Sequence, residues 1–238
     1  MTAQPELYAG LSGGRVLDVG TGRGGWAEEL AEQLADYEEI IGIDIDATLA
    51  EAFAATMQPH PRARFEVMDG MAMTYPDASF DTVAIAGSLH HLADPEVGLR
   101  EMARVLKPGG YFIVAEMYRD GQTETQQTHV RLHHWWGAVD RLRGVSHRET
   151  YTRRQVMNLV NALGLDNLVV RDDADRPDDP RNAAQIARLE PGIDTYLAFA
   201  SGHPDLIAEG EQIRKRLHRV GLHLASVLVA VGEKPQTD

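Results

Sequence analysis

The chain alternates short apolar runs with stretches of helical periodicity. Val16, Leu17 and Val19 form a run too short for a helix and bounded by glycines, which predicts a buried strand over 15–20. A helix follows over 25–36. Glu39–Asp44, carrying Ile40, Ile41 and Ile43, predicts a second buried strand, and 47–57 a second helix. Pro59 and Pro61 break the chain. Arg64–Met68 alternates like a third strand and ends at Asp69-Gly70, and Phe80–Ala86 predicts a fourth. Val97, Leu99, Met102, Val105 and Leu106 recur at helical spacing over 94–106, and Lys107-Pro108-Gly109-Gly110 stops that helix. Tyr111–Ala115 predicts a fifth strand. Such alternation of strand and helix predicts an α/β fold, with a parallel sheet covered on both faces.

After Glu116 the rhythm changes. Residues 117–150 are polar, then aromatic and histidine-rich. A helix over 152–163 ends at Gly164, and Leu168-Val169-Val170 predicts a sixth strand. The acidic, proline-punctuated stretch Asp172–Pro180 leads to helical segments near 182–189, 193–201 and 205–219. Leu206, Ile213, Leu217 and Val220 lie on one stripe of the last of these. Ser226–Val231 predicts the final strand. There is no internal repeat.

Of the 238 residues, 43% are hydrophobic, enough for a sizeable core. No run approaches membrane-spanning length. The start, Met-Thr-Ala-Gln-Pro-Glu-Leu, lacks the basic and apolar regions of a signal peptide. Without cysteine there is no disulfide, thiolate metal site or cysteine nucleophile. A formal net charge of −13 argues against a nucleic-acid surface. The expectation is a cytoplasmic protein with a small-molecule partner and with neither nucleic acid nor membrane. A homodimer stays open.

Gly20, Gly22 and Gly25 fit G-x-G-x-x-G, and Asp44 ends the second strand where a dinucleotide fold keeps its ribose carboxylate. One reading is therefore an NAD-dependent oxidoreductase, although no Tyr-x-x-x-Lys pair accompanies the loop. Three features point elsewhere. Asp18 lies inside the first strand, Asp69-Gly70 follows the third, and Leu106–Gly110 joins the fourth helix to the fifth strand.

With Leu17–Gly24, Gly42–Asp44, Leu89–His91 and Glu101–Gly110, the set resembles class I S-adenosylmethionine-dependent methyltransferases. The likeness is to their small-molecule branch, the type 11 and type 25 domains, and it covers about residues 15–116. It implies a Rossmann-like seven-stranded sheet, last strand antiparallel, flanked by helices, and methyl transfer from S-adenosylmethionine to a small molecule. A non-catalytic module that keeps the cofactor as a structural or sensing ligand is a further alternative.

The chemistry of the residues fits this resemblance. S-adenosylmethionine has no pyrophosphate, so Gly20, Thr21 and Gly22 need only pass close to its methionine and ribose parts. Asp44, beside Ile45, can accept from both ribose hydroxyls. Asp69 can accept from the adenine amine, with Gly70 or Met71 offering a backbone N–H. The resemblance places Asp18 near the methionine ammonium and Ala86 and Gly87 along the methionine side. Asp46 reads as a helix cap.

The acceptor side is expected in two inserts. The core spans 1–116, continues over 151–171 and closes with 225–238. Residues 117–150 and 172–224 leave from the carboxyl ends of the fifth and sixth strands and form a helical lid. On a helix through Thr128–Asp140, Leu132, Trp135, Val139 and Leu142 make an apolar stripe. His129, His133, Trp136 and Asp140 make a second one. The second stripe is either a polar shoulder of the core or a substrate wall, with Trp136 stacking and His129 or His133 taking a proton.

His129 and His133, with Asp140 or His147, also have divalent-ion spacing, but such pairs are common without metals and no metal is assigned. His90 and His91, after the fourth strand, are the other candidate bases, and Tyr8 is a candidate cover for the methionine end. Tyr151, Arg153 and Arg154 suit either solvent or an acidic substrate. The basic run Arg214-Lys215-Arg216, with His218 and Arg219, suits either a solvated helix face or an anionic handle.

Overall fold

The computed structural model describes residues 7–174 and 179–236. The start of the lead-in and the middle of the acidic stretch at 172–180 lie outside the described residues. The chain divides into two compact units. Of the described residues, the first comprises 7–116, 157–171 and 228–236, and the second 117–156, 172–174 and 179–227.

The first unit is built on a seven-stranded sheet. Its strands are β1 (Arg15–Val19), β2 (Glu39–Asp44), β3 (Ala63–Val67), β4 (Phe80–Ala86), β5 (Leu106–Met117), β6 (Asp166–Asp173) and β7 (Val227–Glu233), in the order β3-β2-β1-β4-β5-β7-β6. The pairs β1–β2, β1–β4, β2–β3 and β4–β5 are parallel, with Val16 opposite both Ile40 and Thr82. The central strands are apolar on both faces because both faces are covered: Val16, Leu17, Ile40, Ile41, Ile43, Val83 and Ile85 are buried. β7 runs antiparallel to β5, since Lys234 N–H donates to the Gly110 carbonyl while Tyr118 N–H donates to the Ser226 carbonyl.

The covering helices are α1 (Gly25–Gln33), α2 (Ala50–Thr56) and α3 (Pro95–Val105). The helix expected over 47–57 is a short turn at Ala47–Leu49 followed by α2, and Asp46 caps that turn by accepting from Thr48 N–H. Asp94 caps α3, with Pro95 in its first turn. α3 ends before Lys107, because Leu106 is already extended and pairs with Phe80. Lys107–Gly110 is a bulge carried into β5 rather than the stop itself. Lys107 Nζ reaches Asp81 at 2.7 Å, and Gly109 N–H donates to the Lys234 carbonyl.

In the second unit, α4 (Glu124–Leu142) begins with a reciprocal cap between Thr123 and Gln126. It packs with α6 (Ala183–Phe199) and α7 (Pro204–Val220) around Leu132, Trp135, Val139, Ile193, Ile213 and Leu217. Trp135 is fully buried, and its indole N–H donates to the Leu206 carbonyl at 2.8 Å. Leu142, expected on this stripe, is 45% exposed, because α4 ends there. The two helices expected near 182–189 and 193–201 are one, since α6 runs through Pro191. A proline removes a single intrahelical bond, and the packing of Ile193 outweighs it. α5 (Arg153–Asn161) precedes β6.

Candidate active site

The carboxyl ends of β1, β2 and β4 meet around the glycine loop. Gly20 and Thr21 N–H both donate to the Ile43 carbonyl, and Gly22 N–H donates to Asp44 Oδ2 at 3.1 Å. Gly20 adopts φ +69°, and a Cβ there would lie 2.7 Å from Ser88, whose hydroxyl is 3.0 Å from the Gly20 carbonyl. Only glycine fits that position. These three N–H groups are thus spent on the protein.

Asp18 is buried beneath the loop and accepts from Thr21 Oγ1 at 2.5 Å. Burial raises its carboxyl pKa to about 7, against the Thr21 hydrogen bond, which pulls it down. Asp44 closes β2, and its second oxygen accepts from Asp46 N–H at 3.0 Å. Each Asp44 oxygen therefore keeps acceptor capacity. Ile45, next to it, is 71% exposed. A large apolar side chain bared beside a carboxylate at the carboxyl end of a strand is a ready surface for a planar ring. Gly22 and Gly87 have open space where a Cβ would stand.

Asp69 is exposed and follows β3, whose end is tied to Asp44 through Met68 N–H. Met71 N–H is committed to Asp69 Oδ1 at 2.8 Å, which removes Met71 as a backbone donor and leaves Gly70 for that role. Ala86 ends β4, and Gly87 N–H donates to the Ala115 carbonyl.

The turn Leu89–His91 holds the candidate bases of this unit. His90 is fully buried, and its Nδ1 lies 2.7 Å from Glu116 Oε1, while Glu116 Oε2 accepts from Leu89 N–H. With a carboxylate at Nδ1, that nitrogen carries the hydrogen and Nε2 is the basic one. His91 is half-buried and its ring lies 4.4 Å from that of His90. Glu116 escaped the sequence reading, although a lone charge closing the apolar run Tyr111–Ala115 was its signal. Tyr8 is a correction as well. It is fully buried against Trp26, with its hydroxyl on Glu29, so its ring has no face for a ligand.

In the second unit, the second stripe of α4 joins a chain of hydrogen bonds. His133 Nε2 lies 3.0 Å from His147 Nε2, His147 Nδ1 lies 2.7 Å from Asp140 Oδ2, and the Tyr196 hydroxyl donates to Asp140 Oδ1 at 3.0 Å. With the carboxylate of Asp140 holding the hydrogen on His147 Nδ1, His147 Nε2 is left to accept from His133 Nε2. Burial and Asp140 push the Tyr196 phenol up to about 12.

Asp140 is thus spent on the protein, which corrects its assignment as a substrate contact. His129 is also corrected as a base. It is half-buried, its Nδ1 accepts from Ala225 N–H at 2.9 Å, and desolvation lowers its pKa to about 4. Trp136 packs on Tyr196 with ring centroids 5.7 Å apart. Arg153 is held by both oxygens of Asp172, so it is no acid grip.

These features define the fold of class I S-adenosylmethionine-dependent methyltransferases. A family profile described as a methyltransferase domain matches residues 17–114. The chain is 38% identical over 107 residues to a ubiquinone/menaquinone biosynthesis C-methyltransferase UbiE of Geobacter sulfurreducens, covering 44% of this chain and 42% of the relative. It is 31% identical over 166 residues to a demethylmenaquinone methyltransferase of Roseiflexus castenholzii, covering 69% of this chain and 60% of the relative. The chain thus spans under half the length of the first of these. The YcgJ protein of Bacillus subtilis has the same fold, with TM-score 0.58 and 23% identity over 96% of this chain and 94% of that one.

Proposed function

We propose that the chain transfers a methyl group from S-adenosylmethionine to a small-molecule acceptor by direct displacement. The observation that carries this reading is Asp44, whose two oxygens already accept from Gly22 and Asp46 N–H, beside the bared Ile45 at the end of β2. The donor groups fit the cofactor. Asp44 holds the ribose hydroxyls, Ile45 lies against the adenine, and Asp69 with Gly70 N–H reads its amine edge. Asp18, Gly20, Thr21, Gly22, Ala86 and Gly87 line the methionine end.

When bound, S-adenosylmethionine supplies a methyl group already activated on a sulfonium. The protein's task is to align the acceptor, exclude water and remove a proton where the acceptor atom carries one. The His90–Glu116 pair of the first unit and the His133–His147–Asp140 chain of the second are, each by itself, groups able to take that proton. The relatives named for quinone C-methylation make a reduced quinone the first acceptor to try. An acidic chain without cysteine suits the cytoplasm.

The test is release of S-adenosylhomocysteine with and without a naphthoquinol. Acceptor-dependent release supports the reading. Cofactor binding without turnover on quinols, phenols or amines would make the protein a binding module instead.

A further inference from the structure

The basic run on α7 divides by partner. Arg214 pairs with Glu190, Asp194 and Glu211, and His218 with Glu190, so that side of the helix is spent on the second unit's own acids. The other side borders a groove of about 700 Å³ lined by Arg131 of α4 and by Glu209, Gln212, Ile213, Lys215, Arg216 and Arg219 of α7. Among the described residues, Arg131, Lys215 and Arg219 are exposed and have no acidic partner.

Arg216 is already oriented. Its Nε donates to Thr128 Oγ1 at 3.0 Å and its Nη2 to the Glu124 carbonyl at 2.7 Å, which leaves Nη1 uncommitted. Both anchors lie on α4, so the guanidinium bridges the two helices. An arginine held in this way loses little freedom on gripping an anion, and a planar guanidinium suits phosphate oxygens.

Four cations crowd one groove in a chain whose net charge is −13, and acids neutralise their neighbours on the same helix. Like charges held together without partners are a cost unless an anion relieves it. We propose that this groove between α4 and α7 binds a small phosphate-bearing molecule. Arg131 and Lys215 come from opposite walls, so the ligand enters the groove rather than lying across a flat face. Glu209 shares the α7 wall and repels any extended polyanion, which confines the ligand to a short one. Buried Ile213 forms an apolar patch of the lining between them.

The experiment uses the full chain and inorganic pyrophosphate as probe, by titration calorimetry at moderate salt. The expected result is saturable binding that weakens as salt rises. In a variant carrying Arg131→Ala, Lys215→Ala and Arg219→Ala it weakens by about tenfold or more, as expected for losing charge-assisted contacts. These side chains are exposed, so the melting temperature stays unchanged and certifies folding. No binding, or equal binding by the variant, overturns the proposal. Sedimentation with phosphatidylglycerol vesicles is run in parallel. Binding to vesicles without binding to pyrophosphate overturns it too, in favour of a membrane surface. Affinity for S-adenosylmethionine is measured on the same variant and stays at the wild-type value, which separates this site from the methyl-donor reading.

Discussion

The Thr21 hydroxyl donates to the Asp18 carboxylate at 2.5 Å, with both residues buried under the glycine loop. One hydrogen bond does not offset complete desolvation, so Asp18 holds its proton up to about pH 7, against an ordinary value of 3.8. The unfolded chain gives that proton up first. The contribution of Asp18 to stability is therefore full below about pH 4 and is lost as pH rises to about 7. Urea unfolding across this window shows that slope in the wild type and not in Asp18→Asn. If the methionine ammonium sits beside Asp18, it draws the carboxyl into its charged form. Calorimetry at about pH 6 in buffers of different ionisation enthalpy then reports release of a large fraction of one proton per bound cofactor. Heats independent of buffer would contradict that placement.

His129 works in the opposite direction. Burial lowers it from 6.5 to about 4, so the folded protein keeps it neutral while the unfolded chain protonates it. Its contribution is present above about pH 6.5 and is lost as pH falls towards 4. His129→Asn keeps an acceptor for Ala225 N–H and removes the titration, so the variant loses less stability on acidification than the wild type. Nitrogen-detected NMR checks the cause directly, and a His129 ring titrating near its ordinary value would contradict it.

Asp140 acts through His147 and is a positioning residue. Asp140→Asn offers an amide in place of one carboxylate oxygen and upsets the tautomers of His147 and His133. We expect kcat to fall on the order of ten- to a hundredfold, with the affinity for S-adenosylmethionine changed less than about twofold. Ring-nitrogen NMR should show hydrogen on His147 Nδ1 in the wild type and a mixture in the variant. Equal loss of kcat and cofactor affinity would mean that the chain merely holds α4 in place.

The strands that carry the proposed donor site were legible in the sequence because their signals are local. Buried parallel strands read as unbroken apolar runs, as at Ile40 to Ile43, and Asp44 announces itself by ending one. The two helices expected near 182–189 and 193–201 are a single α6 for the opposite reason: tertiary packing at Ile193 overrides the local effect of Pro191. The acceptor side was legible only as a pattern. The spacing of His129, His133 and Asp140 shows a shared face but not which members are already satisfied. The partners that settle this lie 7 residues away at His147, 56 at Tyr196 and 96 at Ala225. Burial of Tyr8 and the commitment of Met71 N–H likewise depend on contacts that no motif spells out.

The central claim rests on Asp44, and calorimetric titration with S-adenosylmethionine tests it most directly. The wild type should bind with one site per chain. Asp44→Ala removes two charge-assisted bonds to the ribose, and the expected weakening is on the order of a hundredfold. Asp46→Ala serves as the control, because it removes only the cap on Thr48 and should leave affinity within about twofold. Saturable binding lost in Asp44→Ala and retained in Asp46→Ala is the predicted result. A wild-type protein that binds NADH and not S-adenosylmethionine would contradict the account.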